Sequence, residues 1–107
     1  MRIELLYFDG CPSHEALLPR LREILASTGI VDAIELRRIT DDEQAQRECF
    51  LGSPTVRVEG QDIEPDAAQR TDFGMKCRLY RSENGLSGQP PEAWLLAALH
   101  RGAPTET

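Results

Sequence analysis

The turn at residues 9–12 constrains this chain more than any other stretch. An apolar run from Ile3 to Phe8, interrupted by Glu4, ends in Asp9-Gly10, and Cys11-Pro12 follow at once. Asp-Gly is a turn former. Proline suits the first position of a helix, where its missing N–H would have had no partner. The spacing predicts strand, tight turn and helix in succession, with Cys11 at the N-terminal end of the helix. Unpaired N–H groups and the positive end of the helix dipole favour a thiolate there.

The remaining pattern supplies a scaffold for that sulfur. Ile3, Leu5 and Tyr7 fall on one face of the first strand and Leu6 and Phe8 on the other, as in a central strand covered on both sides. Leu17, Leu18, Leu21, Ile24 and Leu25 recur at helical spacing, Pro19 lies inside the helix, and Gly29 ends it. Residues 33–39 read as a half-exposed strand, with Ile34 and Leu36 inward and Glu35 and Arg37 outward. Thr40 to Glu43 has capping-box spacing and opens a short helix whose inner face carries Ala45 and Cys49, broken at Gly52. Residues 53–59 alternate as a third strand, Gly60-Gln61 turns, and residues 66–69 hold one helical turn. Residues 76–80 read as a fourth strand, with Cys77 and Leu79 opposite Arg78 and Tyr80. Turn formers Asn84, Gly85 and Gly88 lead to a last helix opened by Pro90-Pro91, with a stripe of Trp94, Leu95, Ala98 and Leu99, closed at Gly102. The expected order is β-α-β-α-β-β-α in one α/β domain over residues 1–102, a small mixed sheet with helices on both faces. Residues 103–107 form a flexible tail.

Bulk properties exclude some functions. The 107 residues carry a formal net charge of −6 without a basic run, which argues against nucleic acid held through phosphates. No run is long enough to span a bilayer, and no signal-peptide core is expected. Three cysteines without a Cys-x-x-Cys pair fit a reducing compartment, so a cytoplasmic protein is expected.

Around Cys11, His14 lies one helical turn on and can return toward the sulfur, as a thiolate-stabilising imidazolium, a base or a soft-metal ligand. Asp9 acts against activation if it points at the sulfur. Cys49 and Cys77 are candidates to resolve a disulfide with Cys11, or else small buried residues. Arg78 and Tyr80, with Arg57 across the ladder, read as an anion site, a stacked hydrogen-bonded patch or a solvated sheet face. The residues call for no cofactor, and no spacing demands a metal site.

The order of elements and the Cys11-Pro12-Ser13-His14 motif resemble the thioredoxin-like superfamily. By that resemblance Cys11 matches the attacking cysteine and Pro54 the cis-proline facing it. Pro12, Ser13, Ser53 and Thr55 then lie on the substrate side, and Pro19 matches the kink proline of the active-site helix. Residues 6–12, 50–56 and 77–80 resemble the small bacterial thioredoxin-like group called DF family (seleno)proteins, in which selenocysteine can replace the residue at Cys11 and which is also labelled alkylmercury lyase. His14 stands where thioredoxins have their second cysteine. A mixed disulfide on Cys11 therefore needs glutathione, another protein thiol, Cys49 or Cys77.

The resemblance implies a single-cysteine thiol oxidoreductase acting on a protein or small-molecule thiol or disulfide, with Cys11, His14 and Pro54 at the site. Two alternatives stand beside it: a protein binding a soft metal ion such as mercury through thiolate, and a non-catalytic adaptor.

Overall fold

The computed structural model describes residues 1–83 and 85–102, so Asn84 and the tail at 103–107 lie outside the described residues. Strand β1 (Ile3–Tyr7) leads into helix α1 (Ser13–Ser27), strand β2 (Ile34–Arg38), helix α2 (Asp42–Arg47) and strands β3 (Thr55–Val58) and β4 (Gln61–Asp62). A 3-10 turn (Ala67–Gln69), a hairpin of β5 (Tyr80–Ser82) and β6 (Gly85–Ser87), and helix α3 (Glu92–Gly102) follow.

The sheet is mixed and ordered β2-β1-β3-β4. Strands β1 and β2 are parallel, which requires a crossover that α1 supplies, and β3 runs antiparallel to β1 and β4. Alternation along β1 sends Ile3 and Leu5 to one face, where Val56 and Val58 join them under α1 and α3 through Leu17, Leu21, Leu95 and Leu99. Leu6 points the other way, onto Ile39, Phe50 and Ala45 of α2. Helices thus cover both faces. Each buried Leu contributes roughly 1.5–3 kcal/mol. Glu4 shares the α2 face at 2% exposure, where Arg37 and Arg2 neutralise it at 2.9 and 3.3 Å. No helix among the described residues is long and apolar enough to cross a membrane.

Several expectations are corrected. Leu36 is exposed, because β2 is an edge strand and Arg37 turns inward to Glu4. The cap of α2 falls one residue later than expected: Asp41 accepts from the Gln44 N–H at 2.8 Å, and the Gln44 side chain reaches back to the Thr40 N–H at 3.0 Å. The helix then stops at Glu48, and Cys49 is exposed in the left-handed region (φ 54°) rather than on the inner face. The fourth strand of the sheet is Gln61–Asp62, not residues 76–80. Of the latter, Cys77 makes a single bridge to Ser53, and Tyr80 starts the separate hairpin in the region expected to be turns.

Candidate functional site

Cys11 lies between β1 and α1. Pro12 has helical dihedrals (φ −77°, ψ −8°), and its carbonyl accepts from the Glu15 N–H at 3.0 Å, closing the first turn. The Cys11 side chain is 1% exposed, and its thiol donates to the Ser53 carbonyl at 3.5 Å. His14 does return toward Cys11, but to its main chain: Nδ1 lies 2.7 Å from the Cys11 carbonyl, where Nδ1–H donates. The ring also stacks on Tyr7 at 4.3 Å. Asp9 pairs with Arg38 at 3.3 Å.

The opposite wall is residues 52–55, all buried. Gly52 has φ +122°, and a Cβ there would come within 2.9 Å of the Lys76 carbonyl and 3.0 Å of Arg78 Cβ, so only glycine permits this approach. The Ser53–Pro54 peptide bond is cis. Ser53 N–H donates to the Lys76 carbonyl at 2.9 Å, and Arg78 N–H donates to the Ser53 carbonyl at 2.8 Å. Tyr80 donates its hydroxyl to the Pro54 carbonyl, and Thr55 donates its own to the Gly52 carbonyl at 2.6 Å.

Arg78 holds this wall from behind. Its side chain is fully buried, forks onto both oxygens of Asp62 at 2.8 and 3.0 Å, and reaches Glu64 at 3.2 Å and Thr55 Oγ1 at 2.9 Å. Its guanidinium lies 4.5 Å from the centre of the Tyr80 ring. Burial works against its charge, but hydrogen bonding to Asp62 and the nearby acidic groups overcome that and hold it above the ordinary arginine value. Burial likewise pushes the Tyr80 phenol up, keeping it a donor. Of the readings open for Arg78 and Tyr80, the stacked, hydrogen-bonded patch is observed. Neither a free anion site nor a solvated face is present here, because Asp62 and Glu64 occupy the cation. Arg57 turns to the carbonyls of Glu48 and Cys49 instead.

Cys77 is exposed, contrary to the burial considered for it, since Arg78 and Tyr80 take the inward positions of that segment. Its bridge to Ser53 sets it near Cys11. The neighbouring Cys11 is the leading cause of an upward push on its thiol. Cys49 lines a different cavity with Glu48, Arg57 and Asp62, and Cys11 is not in that lining. Pro12 and Ser13 border a cleft of about 770 Å³ with Gly88 and Gln89. The structure therefore gathers Cys11, His14, Ser53, Pro54, Thr55 and Cys77 and leaves Cys49 outside. No group of three or more His, Cys, Asp or Glu that could hold a metal occurs among the described residues.

No family model, curated protein or solved structure matches the chain.

No motif in the sequence marks the acids that fix Arg78. Asp62 and Glu64, two residues apart after the Gly60 turn, were the available signal: alternate acids beside an antiparallel strand can neutralise one buried cation.

Proposed function

We propose that this chain is a thioredoxin-like thiol protein whose redox-active sulfur is Cys11. One observation carries the reading: the Cys11 thiol, at the start of α1, packs against the carbonyl of Ser53 immediately before Pro54. The sheet order β2-β1-β3-β4, with α1 and α3 on one face and α2 on the other, supports the fold assignment. The β5–β6 hairpin is then an insertion before the last helix.

In this reading the chain's own residues do three things. The first turn of α1, closed by the Glu15 N–H on the Pro12 carbonyl, holds Cys11 at the start of the helix with its sulfur toward residue 53. His14 fixes that loop through the Cys11 carbonyl and acts as a positioning residue. Pro54 forms the wall against which the sulfur reacts. The partner is a thiol or disulfide of a protein or small molecule, and three cysteines without a Cys-x-x-Cys pair suit a reducing compartment such as the cytoplasm.

The test is exchange between hydroxyethyl disulfide and glutathione, followed through consumption of reductant. Wild type should accelerate it, and Cys11→Ser should lose most of the acceleration. Equal rates for wild type and Cys11→Ser would defeat the proposal.

A further inference from the structure

The backbone of Ser53 meets both Cys11 and Cys77. Its carbonyl takes the Cys11 thiol at 3.5 Å, while its backbone forms a parallel bridge with Cys77, held by N–H···O bonds of 2.9 Å to Lys76 and 2.8 Å from Arg78. The two cysteines differ sharply in access: Cys11 is 1% exposed and Cys77 is exposed. A disulfide or thiol arriving from solvent must reach the sulfur with which it exchanges. Cys77 meets that condition in the folded protein and Cys11 does not.

We infer that Cys77 and Cys11 form a reversible disulfide in which exposed Cys77 exchanges with the external partner and buried Cys11 resolves the resulting mixed disulfide. The inference rests on the redox reading above and assigns its second thiol and its order of events.

The chemistry balances without another reagent. The Cys77 thiolate attacks one sulfur of an external disulfide; a bond from Cys77 to that sulfur forms, the external S–S bond breaks, and one thiolate leaves with the electron pair. The Cys11 thiolate then attacks Cys77 Sγ; the Cys11–Cys77 bond forms and the second external thiolate leaves. The external disulfide gains two electrons, the protein dithiol loses two, and the protons pass from the protein thiols through solvent to the departing thiolates. In reverse, an external thiolate attacks the accessible Cys77 sulfur and expels Cys11 as a thiolate, which takes a proton from solvent. A low-molecular-weight thiol such as glutathione closes the cycle.

The surroundings favour this pairing over one with Cys49. Residues 76–78 are tied to Ser53 by backbone bonds and to the interior by Arg78, so Cys77 stands on a fixed base. Gly52 leaves room for that strap to lie close. The hydroxyl of Ser53 is buried with no hydrogen-bond partner among the described residues, a spare donor on the residue joining the two sulfurs. The upward push on the Cys77 thiol from Cys11 agrees with their proximity. Cys49 is exposed too, but it sits beyond the end of α2 in a separate cavity.

The test treats reduced, full-length wild type and the Cys11→Ser, Cys77→Ser and Cys49→Ser variants with oxidised glutathione, quenches with acid, and maps the products by mass spectrometry. Wild type and Cys49→Ser should both end as the Cys11–Cys77 disulfide. Cys11→Ser should accumulate a stable glutathione adduct on Cys77. Cys77→Ser should modify Cys11 at least about ten-fold more slowly than wild type is oxidised. Modification of Cys11 in Cys77→Ser at the wild-type rate, or wild type that stops at separate adducts, would overturn the inference while leaving the redox reading intact. If no cysteine of the native protein reacts while all react after unfolding in urea, both fall together.

Discussion

The buried phenol of Tyr80 donates its proton to the main-chain carbonyl of Pro54. This ties the start of the hairpin to the wall of the candidate site. Tyr80→Phe keeps the ring but leaves that carbonyl buried without its donor. The expected loss is about 1–3 kcal/mol of stability, read as a lower urea midpoint with an unchanged slope.

Burial, not the number of ion pairs, decides which charges matter. Arg78→Leu strands Asp62 and Glu64 without their buried counter-charge and should cost about 3–5 kcal/mol. Asp72→Asn breaks pairs with Arg70 and Lys76 at a carboxylate that is 51% exposed, and should cost less than about 1 kcal/mol. Urea titrations of both variants check the contrast.

The same carboxylate gives a pH signature. Hydrogen bonds from Arg70, then Lys76, hold Asp72 well below the usual carboxylate range. Its contribution is fully present above the unfolded pKa of about 4 and is lost as pH falls through the lower folded value. Acidification from neutral pH to about pH 3 should therefore narrow the stability gap between wild type and Asp72→Asn. A gap that widens on acidification would contradict this assignment.

Gly52→Ala tests the close approach of residues 76–78 to Ser53. At φ +122°, with a Cβ 2.9 Å from the Lys76 carbonyl, the substitution should destabilise by more than about 1 kcal/mol. It should also push the strap outward and speed alkylation of Cys11 in the folded protein, measured by site-resolved mass spectrometry in the absence of denaturant.

Cys77 should titrate above an ordinary thiol because Cys11 lies beside it. A raised pKa means less thiolate at a given pH and slower alkylation. Cys11→Ser removes the leading cause, so the pH profile of Cys77 alkylation should move to lower pH. A profile unmoved by Cys11→Ser would show that the two sulfurs do not interact.

Much of this was legible in the chain because local rules and packing agreed. The alternation of β1, the stripe of α1 and the Asp9-to-Pro12 turn each specify one structure, and the fold follows all three. The two-faced pattern of residues 77–80 was legible as well, but its orientation was not. Hydrophobicity alone puts Cys77 and Leu79 inside, whereas the structure buries Arg78 and Tyr80 because Asp62 and Glu64 pair with the guanidinium and the Pro54 carbonyl takes the phenol. Those partners lie 14 to 26 residues away along the chain. Strand β4, with two residues, is too short to show a period. Cys49 at helical spacing from Ala45 suggested a shared face, but the helix ended first and the backbone turned left-handed. Proximity of Cys11 and Cys77 depends on a single bridge through Ser53, which no spacing rule reveals.

The measurement that bears most directly on the central claim is an equilibrium titration of the native protein in glutathione redox buffers, with the state of each cysteine read after acid quenching. The account predicts that Cys11 passes reversibly between thiol and disulfide as the buffer becomes oxidising. Cys11 remaining a thiol at every poise, in a protein that stays folded throughout, would contradict it.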